Sequence, residues 1–391
     1  MYYRLLQQKI RSLILVTIGG IGVYSSASIY KEKQTFFKDY VVPLIHLLDP
    51  EKAHRLAIFV GKYRLLPKSS YSDPNILKTK LFNTEFPNPV GIAAGFDKHG
   101  EAILGLRDMG FGFVEVGSIT PNPQLGNAKP RVFRLSSDEA VINRYGFNSE
   151  GHEAVLNRLE NVRSKENINL VLGVNLGKNK ESADEVADYV NGIKKFGSVA
   201  DYLVINISSP NTPGLRDMQT KFRLRELLKN TIKARNELSV IKRPPLLLKL
   251  APDLNAQERK DIANVLLEND CKVDGLIICN TTVTRPESLQ SKEKSEIGGL
   301  SGKPLKDMST EMIAEMYQLT EGIPIIGVGG ISSGQDAYDK IKAGASAVQL
   351  YTSFIYEGPP VVEKIKKELA ELLELDNYSN ISEAVGKNVR K

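Results

Sequence analysis

Cysteine and histidine are scarce in this chain. Its 391 residues include only Cys271 and Cys279, and four histidines, His46, His54, His99 and His152, none at metal-ligand spacing. These absences argue against a disulfide framework and a zinc site, and no metal is expected. No apolar run is followed by G-x-G-x-x-G, the fingerprint of a dinucleotide-binding turn. A large charge excess is missing too. The 52 basic and 46 acidic residues leave +6, spread along the chain, so a nucleic-acid partner is not indicated. What remains is ordinary globular composition, 41% hydrophobic and 25% charged, enough for one large core or two smaller ones.

The N-terminus differs from the rest. Ser12 to Tyr30 carries no charge, follows Arg4, Lys9 and Arg11, and precedes Lys31, Glu32 and Lys33. That pattern predicts one membrane span over residues 1–30. A cleaved secretory signal and a mitochondrial presequence are the rival readings, because small residues (Ser25, Ser26, Ala27) follow the run and acids are absent before residue 32. Next, Phe37, Tyr40, Val41 and Leu44 recur at helical spacing. After Asp49-Pro50 so do Ala53, Leu56, Ala57 and Val60. Residues 31–67 are thus expected to be a helical hairpin, either a lid on the core or a pair of helices at the bilayer surface.

From Pro89 a rhythm sets in. Eight short apolar runs begin at Val90, Phe113, Leu170, Tyr202, Leu246, Gly275, Ile323 and Ala347, most of them separated by helical stretches such as "DEVADYVNGIKKFG". Alternation of this kind predicts a parallel α/β fold, and eight units predict a (β/α)8 TIM barrel over residues 68–391. An open doubly wound sheet is the alternative. Polar residues gather where the runs end: "YLVINISSPNTPGLR" passes from buried strand to asparagines, serines and an arginine within a few positions. Each has a plain explanation as a turn or cap, but their coincidence at one barrel face marks a site. "GVGGISSG" beside "QLYTS" suits a phosphate, and paired amides suit the N–H and C=O edge of a planar heterocycle.

The motifs "AAGFDKHGEA", "VINRYGFNS", "GVNLGKNK", "NISSPNTPGLR", "LKLAPD", "GGLSGKPL", "IIGVGGISSGQDA" and "AGASAVQLYT" resemble those of the class 2, membrane-associated dihydroorotate dehydrogenases, from about Asp39 onward. The resemblance implies a barrel holding FMN that oxidises (S)-dihydroorotate to orotate for pyrimidine synthesis. It also implies transfer of electrons to ubiquinone at the mitochondrial inner membrane, with the lipid bilayer as a partner and the chain acting as a monomer. By similarity Ser209 is the base, with Thr212 and Phe147 shaping its proton path. Lys98, Asn143, Arg144, Tyr145, Gly146, Phe147, Asn206, Asn211, Asn280 and Thr281 then hold the substrate. Flavin contacts are implied at Ala93, Ala94, Gly95, Asp97, Ser118, Asn175, Asn206, Lys249, Cys279, Gly302, Gly330, Tyr351 and Thr352, and a quinone tunnel at His54 and Arg134. Serine at 209 points to class 2, since class 1 has cysteine there. Cys279 departs from the threonine expected in animal members. Two alternatives stay open: a tRNA dihydrouridine synthase, which calls for a catalytic cysteine and a basic extension, and a non-catalytic tethered barrel.

Overall fold

The computed structural model describes residues 2–31, 33–66, 68–165 and 170–389. Met1, Glu32 and Pro67, which belong to the expected span and hairpin, lie outside the described residues.

Eight parallel strands close on themselves: β1 (Val90–Ile92), β2 (Phe113–Ile119), β3 (Val171–Leu176), β4 (Tyr202–Asn206), β5 (Leu246–Leu250), β6 (Gly275–Ile278), β7 (Ile325–Val328) and β8 (Ala345–Leu350). Each pairs with the next, and β8 returns to β1 with Val348 opposite Val90. Closure rules out the open sheet. The strands are apolar along their whole length because both faces are covered. Val114, Val116, Leu203 and Ile205 pack outward against helices, while Phe113, Val171, Tyr202, Leu247 and Ile277 fill the interior. Some of the helices between them begin on side-chain caps. Asp184 accepts the Ala187 N–H at 2.9 Å to start Glu185–Phe196, and Asn255 with Glu258 forms a capping box at the head of Ala256–Leu266.

Two features appear that the sequence did not announce. A hairpin of Thr79–Leu81 and Thr84–Phe86 turns through Phe82 and Asn83, both left-handed (φ 51° and 59°), and plugs the amino-terminal end of the barrel. Its Leu81, Phe82 and Phe86 pack beneath the interior residues, Phe86 meeting Phe113 edge-on at 5.2 Å. A phenylalanine buried this way contributes about 1.5–3 kcal/mol and keeps water from the polar groups above. In addition, Val132–Leu135, Ala140–Asn143 and Gly299–Gly302 form an antiparallel sheet built from the loops that follow β2 and β6.

Ahead of the barrel, Tyr2–Lys31 is one helix, of which Tyr3–Ala27 is long and apolar enough to cross a membrane. Residues 33–46 are helical with a π turn at Phe37–Val41, and Asp49 caps a further helix, Pro50–Lys62. The expected inward stripe differs in the first of these segments. Phe37 and Val42 are buried, whereas Tyr40 and Leu44 are exposed. The π turn admits an extra residue, which advances the register and gives Val42 the inward place that regular spacing assigned to Val41.

Candidate active site

Asn206, the last residue of β4, anchors the floor of the barrel mouth. Its amide donates to Ser118 Oγ at 2.8 Å and Asn175 Oδ1 at 3.1 Å, and accepts from Ser208 Oγ at 3.0 Å and Asn280 Nδ2 at 3.3 Å. Ser118 Oγ donates in turn to Asn175 Oδ1. Three amides and one hydroxyl on four strand ends therefore orient one another. Ser209 follows, 8% exposed and lining the mouth, its Oγ accepting the Asn211 N–H at 3.3 Å. Asn211 Nδ2 reaches Asn143 Oδ1 at 3.2 Å and so ties this loop to the antiparallel sheet. Phe147 is held in the left-handed region (φ 54°), its carbonyl accepting from Gln124 Nε2 at 2.8 Å. A bulky residue keeps that conformation only where its surroundings enforce it.

One side of the mouth is cationic. Lys98 Nζ lies 4.3 Å from the centre of the Tyr145 ring, and the Arg131 guanidinium lies 4.9 Å from the same ring. Burial, and secondly the Arg131 charge, draws the Lys98 amine down to about 8. Arg131 is anchored on the helix Pro50–Lys62 through Glu51 at 2.9 Å. Burial works to raise the Glu51 carboxyl, but Arg131 and Lys129 hold it at about 2. From the same helix His54 meets Tyr145 Oη at 3.3 Å and the Phe96 carbonyl at 2.7 Å. Burial, and then the Lys98 charge, pushes the imidazole down to about 4, so it is neutral, with Nε2–H donating to Phe96 and Nδ1 accepting from Tyr145. Arg134 donates to the carbonyls of His46, at 2.8 Å, and Leu48, at 2.5 Å.

A cavity of about 350 Å³ runs from Lys249, Asn206, Ser209 and Asn280 past Lys98 and His54 to Val42, Ile45, Ala57 and Val60. A second, of about 90 Å³, lies behind it, between Ala93, Lys249, Gly302, Gly330 and Thr352. Its glycines are obligatory: Gly330 has φ 69°, and a Cβ there would sit 2.5 Å from Lys306 Cα. Gly302 has φ 99°, with the Glu139 carbonyl 2.4 Å from any Cβ. Ser333 then caps the helix Gly334–Lys342, its Oγ accepting the Asp336 N–H at 3.1 Å. Cys279 lines this cavity as a neutral thiol, its acidity suppressed to about 11 by burial.

Most of the expected site residues meet at these two cavities; four do not line either one. Asp97 is occupied with the N–H groups of Glu101 and Ala102, at 2.9 and 2.7 Å. Arg144 turns to Glu296 at 2.7 Å. Asn175 lies in the floor, fully buried, and Thr212 lies behind the Ser209 loop, its Oγ1 without a partner among the described residues. Two residues unforeseen from sequence, Glu115 and Gln349, complete the polar floor beneath Lys249, with Gln349 Nε2 donating to Glu115 at 2.7 Å.

These parts define a class first: a (β/α)8 barrel enzyme with a polar ring site at the carboxyl ends of its strands and a glycine cradle beside it. The signature of the family described as dihydroorotate dehydrogenase matches residues 76–373, and the chain belongs to that family of oxidoreductases. Dihydroorotate dehydrogenase (quinone), mitochondrial, of Mus musculus is 52% identical over 397 residues, spanning 100% of both chains. The protein of the same name from Oryza sativa subsp. japonica is 48% identical over 96% of this chain and 85% of its own. The ligand-free DHODH of Eimeria tenella has the same fold, with a TM-score of 0.85 at 47% identity over 88% of this chain and 100% of that one.

Proposed function

We propose that the chain oxidises (S)-dihydroorotate to orotate, a step of pyrimidine synthesis, with FMN as cofactor and ubiquinone as the final acceptor. The observation that carries this is the single cavity joining Ser209, the asparagines and Lys249 to the apolar inner face of residues 33–62. A polar ring and an apolar quinone can reach one cofactor from opposite ends.

The residues present fit FMN. Gly302 and Gly330 leave backbone open to a phosphate, Lys249 lies where the ring would rest, and two buried atoms at the smaller cavity, Gln349 Oε1 and Ser353 Oγ, have no partner among the described residues. When bound, FMN supplies the acceptor for the hydride that leaves C6 and passes the electrons on to quinone. The remaining work belongs to the chain. Lys98 meets the substrate carboxylate, while Asn143, Asn206, Asn211, Asn280 and Thr281 fix the ring by its amide edges. Ser209 Oγ takes the C5 proton. A hydroxyl does this only in a dry site, and Ser209 is 8% exposed, with the buried Thr212 hydroxyl two positions beyond its neighbouring proline to pass the proton on. Arg134 and His54 border the route by which quinone enters.

Residues 1–30 then serve as a single-pass anchor in the mitochondrial inner membrane, residues 31–67 as the quinone entrance, and residues 68–391 as the catalytic barrel. The helix Tyr3–Ala27 and the exposed Leu44, Leu47, Phe59 and Leu65 support that division. The test is a pair of half-reactions: anaerobic bleaching of the flavin by dihydroorotate, then its recovery with a short-chain quinone or with fumarate. Bleaching followed by recovery with quinone alone is expected. A colourless protein, or recovery with fumarate, overturns the reading.

A further inference from the structure

Beneath the ring site the barrel interior holds an acidic side chain for which the proposed reaction has no use. Glu115, on β2, is fully buried. Its Oε1 accepts from Asn175 Nδ2 at 2.9 Å, and its Oε2 accepts from Gln349 Nε2 at 2.7 Å and from the Tyr202 hydroxyl at 3.2 Å. Three donors converge on two oxygens. Such donors suit a carboxylate, whose oxygens only accept. Across from it, Lys249 Nζ stands 4.0 Å from Oε1, on a side chain that is itself buried yet lines both cavities.

We propose that Glu115 is a positioning residue that anchors the Lys249 ammonium under the bound cofactor and offsets part of its charge. The inference rests on the flavin reading given above. An isolated ammonium in this dry floor would hold the electrons of an anionic, reduced ring strongly, because Coulomb interactions are little screened there. A carboxylate 4.0 Å behind it lowers that attraction, and so keeps the electrons transferable to quinone. Shielding of the pair from water comes from below, where Phe113, Tyr202 and the plug hairpin fill the barrel. The hydrogen bonds from Asn175, Gln349 and Tyr202 offset the cost of burying the carboxylate and fix where its charge sits.

The decisive variant is Glu115→Gln, which keeps the shape and removes the charge. The Tyr202 hydroxyl, 3.2 Å from Oε2, can turn from donor to acceptor and so take the new amide N–H. Redox titration of the purified holoprotein should show the flavin's midpoint potential shifted upward, with bleaching by dihydroorotate retained and reoxidation by quinone slowed several-fold. Tyr202→Phe provides a second arm if the first variant does not fold. It removes one donor from the carboxylate, leaves more of its negative charge turned to Lys249, and should shift the potential slightly downward. A merely structural role predicts no such opposed pair of shifts. An unchanged or lowered potential in Glu115→Gln, or a raised one in Tyr202→Phe, overturns the inference while leaving the flavin reading intact. A wild-type protein without flavin absorption overturns both.

Discussion

With Lys98 in its proposed place at the substrate carboxylate, binding should depend on pH in a direction fixed by the surroundings of its amine. Its amine sits at about 8 because burial and the Arg131 guanidinium both oppose its charge. A bound carboxylate favours the charged form, so binding above pH 8 must take up a proton. Affinity is therefore full below pH 8 and lost as pH rises through it. With an amine at about 8, roughly ten-elevenths of the free protein carries the charge at pH 7 and roughly one-eleventh at pH 9, so the dissociation constant should rise about tenfold between them. Removing the cation altogether, in Lys98→Met, forfeits a charged hydrogen bond worth about 1.5–3 kcal/mol, or about 10- to 150-fold in affinity. It should also flatten the profile. The assay is the concentration dependence of anaerobic flavin bleaching from pH 6.5 to 9.5. A flat profile in the wild type, or the same slope in Lys98→Met, refutes the reasoning.

Three further outcomes follow from the site. Ser209→Ala should retain FMN yet bleach about 10²- to 10⁴-fold more slowly at neutral pH, the usual cost of a missing general base, and an unchanged rate would remove Ser209 from that role. Lys249→Met should weaken FMN retention and lower the flavin's reduction potential, opposite in sign to Glu115→Gln; an unaltered or raised potential would make the lysine structural. His54 titrates near 4, so reoxidation by quinone should show no step near pH 6.5; a step there that His54→Asn abolishes would contradict the neutral tautomer described above.

The eight barrel strands were legible because each is buried on both faces and so forms an unbroken apolar run, as in Leu246–Leu250. The plug hairpin was not, since Thr79–Leu81 and Thr84–Phe86 are three residues each and carry no period. Nor was the antiparallel sheet, where Gly299–Gly302 pairs with Ala140–Asn143 from a distant part of the chain. Among site residues, the asparagines and Ser209 announced themselves by standing where strands end. Glu115 did not, because a glutamate between Val114 and Val116 has the alternation of a half-exposed strand. Only closure of the barrel turns that position inward. The arginine that ends "SSPNTPGLR" becomes intelligible the same way: Arg216 donates to the Ser208 and Thr281 carbonyls at 3.0 and 2.9 Å, joining β4 and β6 loops that the sequence keeps apart.

In the proposed function one cofactor is reached from two ends of one cavity, and residues 31–67 form the quinone end. Both half-reactions, followed on chains lacking residues 1–30 and residues 1–67, test it most directly. The shorter deletion should bleach with dihydroorotate and recover with long-chain ubiquinone at the full-length rate. The longer one should still bleach but recover many-fold more slowly. Equal recovery in the two chains, or its loss already in the shorter deletion, would contradict the account.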